Sequence, residues 1–163
     1  MLHFAPEKGL SARFKSSVYI EYISADLYDQ SAAVKMDISQ IQFSDQTFDV
    51  IYCSHVLEHV ADDRKAMAEL IRVLKTGGWA LILVPITHGQ TLEDSSISKF
   101  QDRERLFGQF DHVRSYGVDF SNRLITAGFE VRKIQTGDVV EPEEISYMGL
   151  LEDETLFLCR KPK

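Results

Sequence analysis

Residues 48–85, FDVIYCSHVLEHVADDRKAMAELIRVLKTGGWALILVP, restrict the chain to few architectures. The apolar runs at 49–53 and 79–84 are too short for helices and almost free of polar interruption, as parallel strands covered on both faces are. Between them Met67, Leu70, Ile71 and Leu74 recur at the spacing that lays one apolar stripe along a helix. Asp62 or Asp63 can cap the start of that helix, and Gly77 can end it in a left-handed conformation. Two such strands joined by one helix run parallel, and crossovers of this kind are nearly always right-handed. The expectation is an α/β protein with a parallel sheet at its centre and a ligand site beyond the carboxyl ends of the strands.

The flanking segments extend this unit. At 163 residues the chain is long enough for one domain, 1–163, with a real core. An apolar opening at 1–4 leads through a turn at 5–9 into a helix over 10–16. Strands are predicted at 18–25 and 33–36, and each runs straight into an aspartate, Asp26 or Asp37. Aspartate often does no more than end a strand. Two in succession, both at the end where a parallel sheet binds its ligand, point instead to function. Residues 86–117 have no strong period apart from a charged helical patch at 98–107, which suggests a lid or binding loop. Within it stand His88, His112, Arg114 and Tyr116; the last three lie close enough together to orient a polar substrate, or to serve structural hydrogen bonds. A helix over 119–127 carries Phe120, Leu124 and Ile125 and stops at Gly128. A strand at 129–134, an acidic loop at 137–154 and a last strand at 155–159 complete the chain.

The formal net charge of −7 argues against non-specific binding to nucleic acid or an anionic membrane. No apolar run reaches membrane-spanning length and the first residues do not form a leader, so a cytoplasmic protein is expected. Cys53 and Cys159 each lie in an apolar run and read as buried thiols in a reducing compartment.

FDVIYCSHVLEHV, the helix ending ELIRVLKTGGWALILVP and the later AGFEV together resemble the class I S-adenosylmethionine-dependent methyltransferases, in particular methyltransferase type 11. The resemblance implies a Rossmann-like three-layer sandwich whose mostly parallel seven-stranded sheet has the order 3-2-1-4-5-7-6, with the last strand antiparallel. It implies S-adenosyl-L-methionine as cofactor and S-adenosyl-L-homocysteine as product. By the same resemblance Asp26, with Leu27, binds the ribose hydroxyls; Asp37, with Ile38, holds the adenine; and Ser54 and His55 line the floor near the reactive methyl group. A carboxylate suits the ribose because it only accepts and a vicinal diol offers two donors. The first loop, Phe4, Ala5, Pro6, Glu7 and Gly9, would approach the methionine part of the cofactor. Here the chain departs from the family: in LHFAPE, His3, Ala5 and Glu7 stand for the usual acid and the first two glycines, and only Gly9 is retained. Glu7 would then pair with the cofactor's ammonium or sulfonium group. The helix that usually precedes the first strand and covers the cofactor is also missing, which makes a homodimer plausible.

Methyl transfer from a sulfonium requires alignment above all, and a base where the acceptor carries an acidic proton. His55 and His112 are the catalytic candidates. Glu58 reads as a capping residue or as favourable to a helix dipole. His55 and His59 have a spacing that can bind zinc, but no third ligand is evident and no metal is expected. The acceptor is expected to be a small or medium-sized molecule methylated at O, N or C. The alternative is a methyltransferase-like domain that binds or interacts without turnover, motivated by the altered loop. A nicotinamide dehydrogenase would need a dinucleotide fingerprint that the chain lacks.

Overall fold

The computed structural model describes residues 1–87, 89–148, 151 and 154–163. The elements run β1 (Leu2–Phe4), α1 (Lys8–Lys15), β2 (Ile23–Asp26), β3 (Val34–Lys35), β4 (Phe48–Ser54), α2 (Asp63–Val73) and β5 (Leu74–Leu83). There follow β6 (Leu92–Glu93), α3 (Phe100–Phe107), β7 (Arg114–Ser115), α4 (Phe120–Thr126), β8 (Glu130–Gln135), α5 (Thr136–Val139), α6 (Pro142–Met148) and β9 (Thr155–Arg160). Seven strands form one sheet in the order β3-β2-β1-β4-β5-β9-β8. The first five are parallel, and β9 is antiparallel to both of its neighbours. The short strands β6 and β7, not anticipated from the sequence, pair with each other outside this sheet. They shift the labels of the last two strands, so that β8 and β9 hold the places expected of the sixth and seventh.

Helix α2 crosses between β4 and β5 as its apolar stripe requires. Ala66, Met67, Leu70 and Val73 are buried and join Leu2, Phe4, Ile51, Cys53, Ala80 and Ile82 in one cluster. Phe120 and Leu124 of α4 belong to the same core. Strand alternation sends Val50, Tyr52, Trp79 and Leu81 to the opposite face. There α1 buries no residue, and a groove of about 1030 Å³ is lined by these four side chains with Leu10 and Phe14. The helical layers are therefore unequal. Cys53 and Cys159 are free and buried, and burial pushes the Cys159 thiol up to about 12.

Several boundaries differ from the sequence reading. The strand predicted at 18–25 begins only at Ile23, because Val18 and Tyr19 are 89% and 95% exposed in the turn after α1. The strand expected at 33–36 is limited to Val34 and Lys35. Gly77 is left-handed at φ 76°, yet it lies inside β5 rather than at the helix stop. Leu74 already pairs with Phe48, and the register shifts before Val50. At Gly78 a Cβ would lie 2.8 Å from the Asp49 carbonyl, so the close approach of β4 explains that glycine. Ile125 is 55% exposed and turned away from the core. The acidic loop predicted over 137–154 contains α5 and α6; Pro142 at the first helical position and Glu143 and Glu144 in the first turn are the signals that favour α6.

Candidate active site

Because β3, β2, β1 and β4 are neighbours and parallel, their carboxyl ends form one continuous rim. Asp37, Asp26, Ala5 and Ser54 with His55 follow one another along it. The chain crosses over between β1 and β4, so the crevice lies where an open α/β sheet receives its ligand.

At the end of β1 the backbone turns sharply. Ala5 has φ 48°, the left-handed conformation that glycine would ordinarily supply, and its N–H donates to the Ala25 carbonyl at 3.0 Å. Phe4 is buried in the core and offers only backbone to the rim, while Pro6 is half-buried. Glu7 caps α1 by position and is engaged elsewhere: its Oε2 lies 2.8 Å from His3 Nε2. His3 Nδ1 lies 2.9 Å from the Tyr22 hydroxyl. Burial lowers the His3 pKa and raises that of Tyr22, which fits a neutral imidazole donating to Glu7 and accepting from Tyr22. Gly9 lies within α1 with nothing near the position of a Cβ, so no steric demand keeps it glycine.

Asp26 folds back on its own turn, Oδ1 accepting from the N–H groups of Tyr28 at 2.6 Å and Asp29 at 2.7 Å. Oδ2 accepts no hydrogen bond among the described residues. Leu27 beside it is partly exposed. Asp37 makes a similar turn, accepting from Ser39 N–H at 2.7 Å, and Ile38 is buried. Both carboxylates are therefore fixed by local backbone donors and stand at neighbouring strand ends.

Strand β4 delivers Ser54, buried, and His55, also left-handed at φ 52°. The His55 ring is half-exposed. Its Nδ1 faces Glu58 Oε1 at 3.4 Å, and that carboxylate holds the His55 pKa above its ordinary value. Glu58 lies on a single 3-10 turn, Leu57–His59, and is 2% exposed. Neither of its carboxylate oxygens has a hydrogen-bond partner among the described residues. Glu58 does stand in the first turn of this short helix, but its carboxylate makes no capping hydrogen bond and is buried instead. It is the site residue that sequence reasoning missed.

Residues 112–114 come to the same turn from far along the chain. Val113 N–H donates to the Glu58 carbonyl at 2.9 Å. Arg114, 4% exposed, donates to the carbonyls of Leu57, Val60 and Ala61 and to Glu93. Four protein acceptors surround its guanidinium, so Arg114 clamps this turn, which is the structural hydrogen-bonding role of the two that the sequence left open. Tyr116 is likewise buried, its hydroxyl donating to Asp63 at 2.7 Å. His112 is 8% exposed, with Nδ1 3.0 Å from the Phe107 carbonyl. His88 lies outside the described residues.

The methyltransferase-domain family matches residues 10–82 of the chain. Among curated proteins, the ubiquinone/menaquinone biosynthesis C-methyltransferase of Idiomarina loihiensis is 46% identical over 50 residues, covering 31% of this chain and 20% of that protein. The chain thus matches only about a fifth of the length of its curated relatives. A Haemonchus contortus phosphoethanolamine N-methyltransferase 2, solved with phosphomonomethylethanolamine and S-adenosylhomocysteine, superposes with a TM-score of 0.66 at 16% identity, over 100% of this chain and 49% of that one. A SAM-dependent methyltransferase of Archaeoglobus fulgidus gives 0.63 at 15% identity, over 98% and 84%. At such identities the likeness establishes the fold. Among the described residues no helix is long and apolar enough to cross a membrane.

Proposed function

We propose that this chain, which has the class I S-adenosylmethionine-dependent methyltransferase fold and matches the methyltransferase-domain family over residues 10–82, transfers a methyl group from S-adenosyl-L-methionine to a small or medium-sized acceptor. The observation that carries the reading is the run of polar groups along one rim: Asp37, Asp26, the left-handed Ala5 and Ser54 with His55 at consecutive strand ends. Asp26 holds the ribose hydroxyls through Oδ2, since Oδ1 is occupied by its own turn. Asp37 and Ile38 hold the adenine, one as acceptor and the other as apolar wall. The backbone at Ala5 and Pro6 lies against the methionine part. Glu7, bonded to His3, presents its half-exposed carboxylate on the same loop and offsets positive charge there.

When bound, the cofactor supplies an electrophilic methyl group on a sulfonium. Ser54 and His55 then bound the space in which the acceptor is held in line with it. The Glu58 carboxylate, 3.4 Å from His55 Nδ1, raises the basicity of the imidazole that takes the acceptor's proton. The curated relative is a C-methyltransferase acting in quinone biosynthesis, and phenolic ring systems are therefore the first acceptors to screen.

The test is calorimetric titration of the protein with S-adenosylhomocysteine beside Asp26→Ala. Micromolar binding, weakened at least tenfold in the variant, is expected. Equal affinity in the two proteins, or no binding at millimolar ligand, overturns the reading.

A further inference from the structure

We propose that Glu58, His59 and His112 form a binding site for a divalent first-row transition-metal ion. One ligand atom from each lies within 4.8 Å of the others. The set, two imidazoles and one carboxylate, is the mixture that suits Zn²⁺, Co²⁺, Mn²⁺ or Fe²⁺ better than the all-oxygen shells of Mg²⁺ and Ca²⁺.

A second observation points to a ligand independently. The Glu58 carboxylate is 2% exposed and its two oxygens lack any donor among the described residues. A buried carboxylate normally has several hydrogen bonds or a counter-ion, because desolvation without either is costly. His55 Nδ1 lies 3.4 Å from Oε1, which leaves Oε2 for an ion.

The two histidines are set up as ligands. His112 Nδ1 donates to the Phe107 carbonyl at 3.0 Å, which fixes the tautomer with a lone pair on Nε2. His59 Nδ1 faces Asp111 Oδ2 at 3.3 Å, the outer carboxylate that commonly orients a metal-bound imidazole. The two rings meet edge to face with centroids 4.7 Å apart. The scaffold beneath them is rigid: Val113 N–H on the Glu58 carbonyl and the Arg114 bonds to the carbonyls of Leu57, Val60 and Ala61 hold residues 112–114 against the 57–61 turn. His59 is the half-buried member of the set, which leaves its ring the side from which an ion can enter.

The test uses the full chain stripped with chelator and reads metal alone, so its outcome does not depend on methyl transfer. Titration with Co²⁺ is followed by visible d–d absorption, and titration with Zn²⁺ by calorimetry. One equivalent is expected to bind, with a raised melting temperature. Glu58→Gln and His112→Asn are expected to weaken binding by more than the roughly tenfold to hundredfold that losing an outer partner costs, and Asp111→Asn by about tenfold. Should the buried variants fail to fold, His59→Asn, at the half-buried position, carries the same expectation. No saturable binding, or affinity unchanged in His59→Asn or in a folded Glu58→Gln, overturns the site.

Discussion

Ala5 holds φ at 48°, a conformation that costs a residue with a Cβ about 1–2 kcal/mol and glycine almost nothing. Its N–H is fixed to the Ala25 carbonyl, so the turn cannot relax without losing the end of the β1–β2 ladder. Strain retained at the rim of a binding crevice is commonly functional. Ala5→Gly relieves it but adds freedom to the unfolded chain worth about 0.4–1 kcal/mol, so a net gain of roughly 0.5–1 kcal/mol is expected. A urea midpoint that rises with an unchanged slope is the expected result; a midpoint that falls would mean that the surrounding contacts already balance the strain. Asp26 and Asp37 were legible in the sequence because their position depends only on strand ends and local turns. Glu58 was not, because its burial follows from Val113 and Arg114 closing over the turn from more than fifty residues away. The substitution of the first glycine by Ala5 was visible, but that the backbone keeps the glycine conformation was not.

Helix α2 separates two adjacent aspartates into different tasks. Asp62 accepts the Lys65 N–H at 2.9 Å and is the N-cap. Asp63, one position on, is 3% exposed, receives the Tyr116 hydroxyl at 2.7 Å and pairs with Arg123 Nη1 at 3.0 Å and with Arg114 Nε at 3.7 Å. Glu93 of β6 joins both arginines, so the network ties α2 to β6, β7 and α4. Asp62→Ala is expected to cost about 1 kcal/mol, the usual loss of a cap. Asp63→Ala, which strips a buried partner from two arginines, is expected to cost about 3–5 kcal/mol. Chemical denaturation of the two variants checks the difference, and equal losses would refute the assignment. The sequence left open which aspartate caps, since both stand before the apolar stripe. The strand–helix–strand unit itself was readable from period and length. Strands β6 and β7 were not, because two-residue strands held by a buried ion network have no periodicity to read.

Stability is distributed unequally across the molecule. The face of the sheet carrying α2 and α4 holds the buried cluster, whereas α1 on the other face buries nothing and borders a groove lined by Val50, Tyr52, Trp79 and Leu81. The parallel order of the central strands was foreseeable from the apolar runs, but this imbalance was not, since Phe14 and Leu10 have the same spacing in the sequence as core residues of a covered helix. Leu70, fully buried on α2, is expected to lose about 2–5 kcal/mol on truncation to Ala, through lost transfer energy and an unfilled cavity. Phe14, half-buried and facing an open groove that water can fill, is expected to lose only about 1–1.5 kcal/mol, because no cavity remains behind. Urea unfolding of Leu70→Ala and Phe14→Ala at two protein concentrations tests this. A Leu70→Ala loss larger than that of Phe14→Ala, with neither varying with concentration, means that the chain folds with the α1 face open. A Phe14→Ala loss matching that of Leu70→Ala, and growing with concentration, means that a second copy covers the groove: the side chain then counts as interior, and a homodimer is the folded unit.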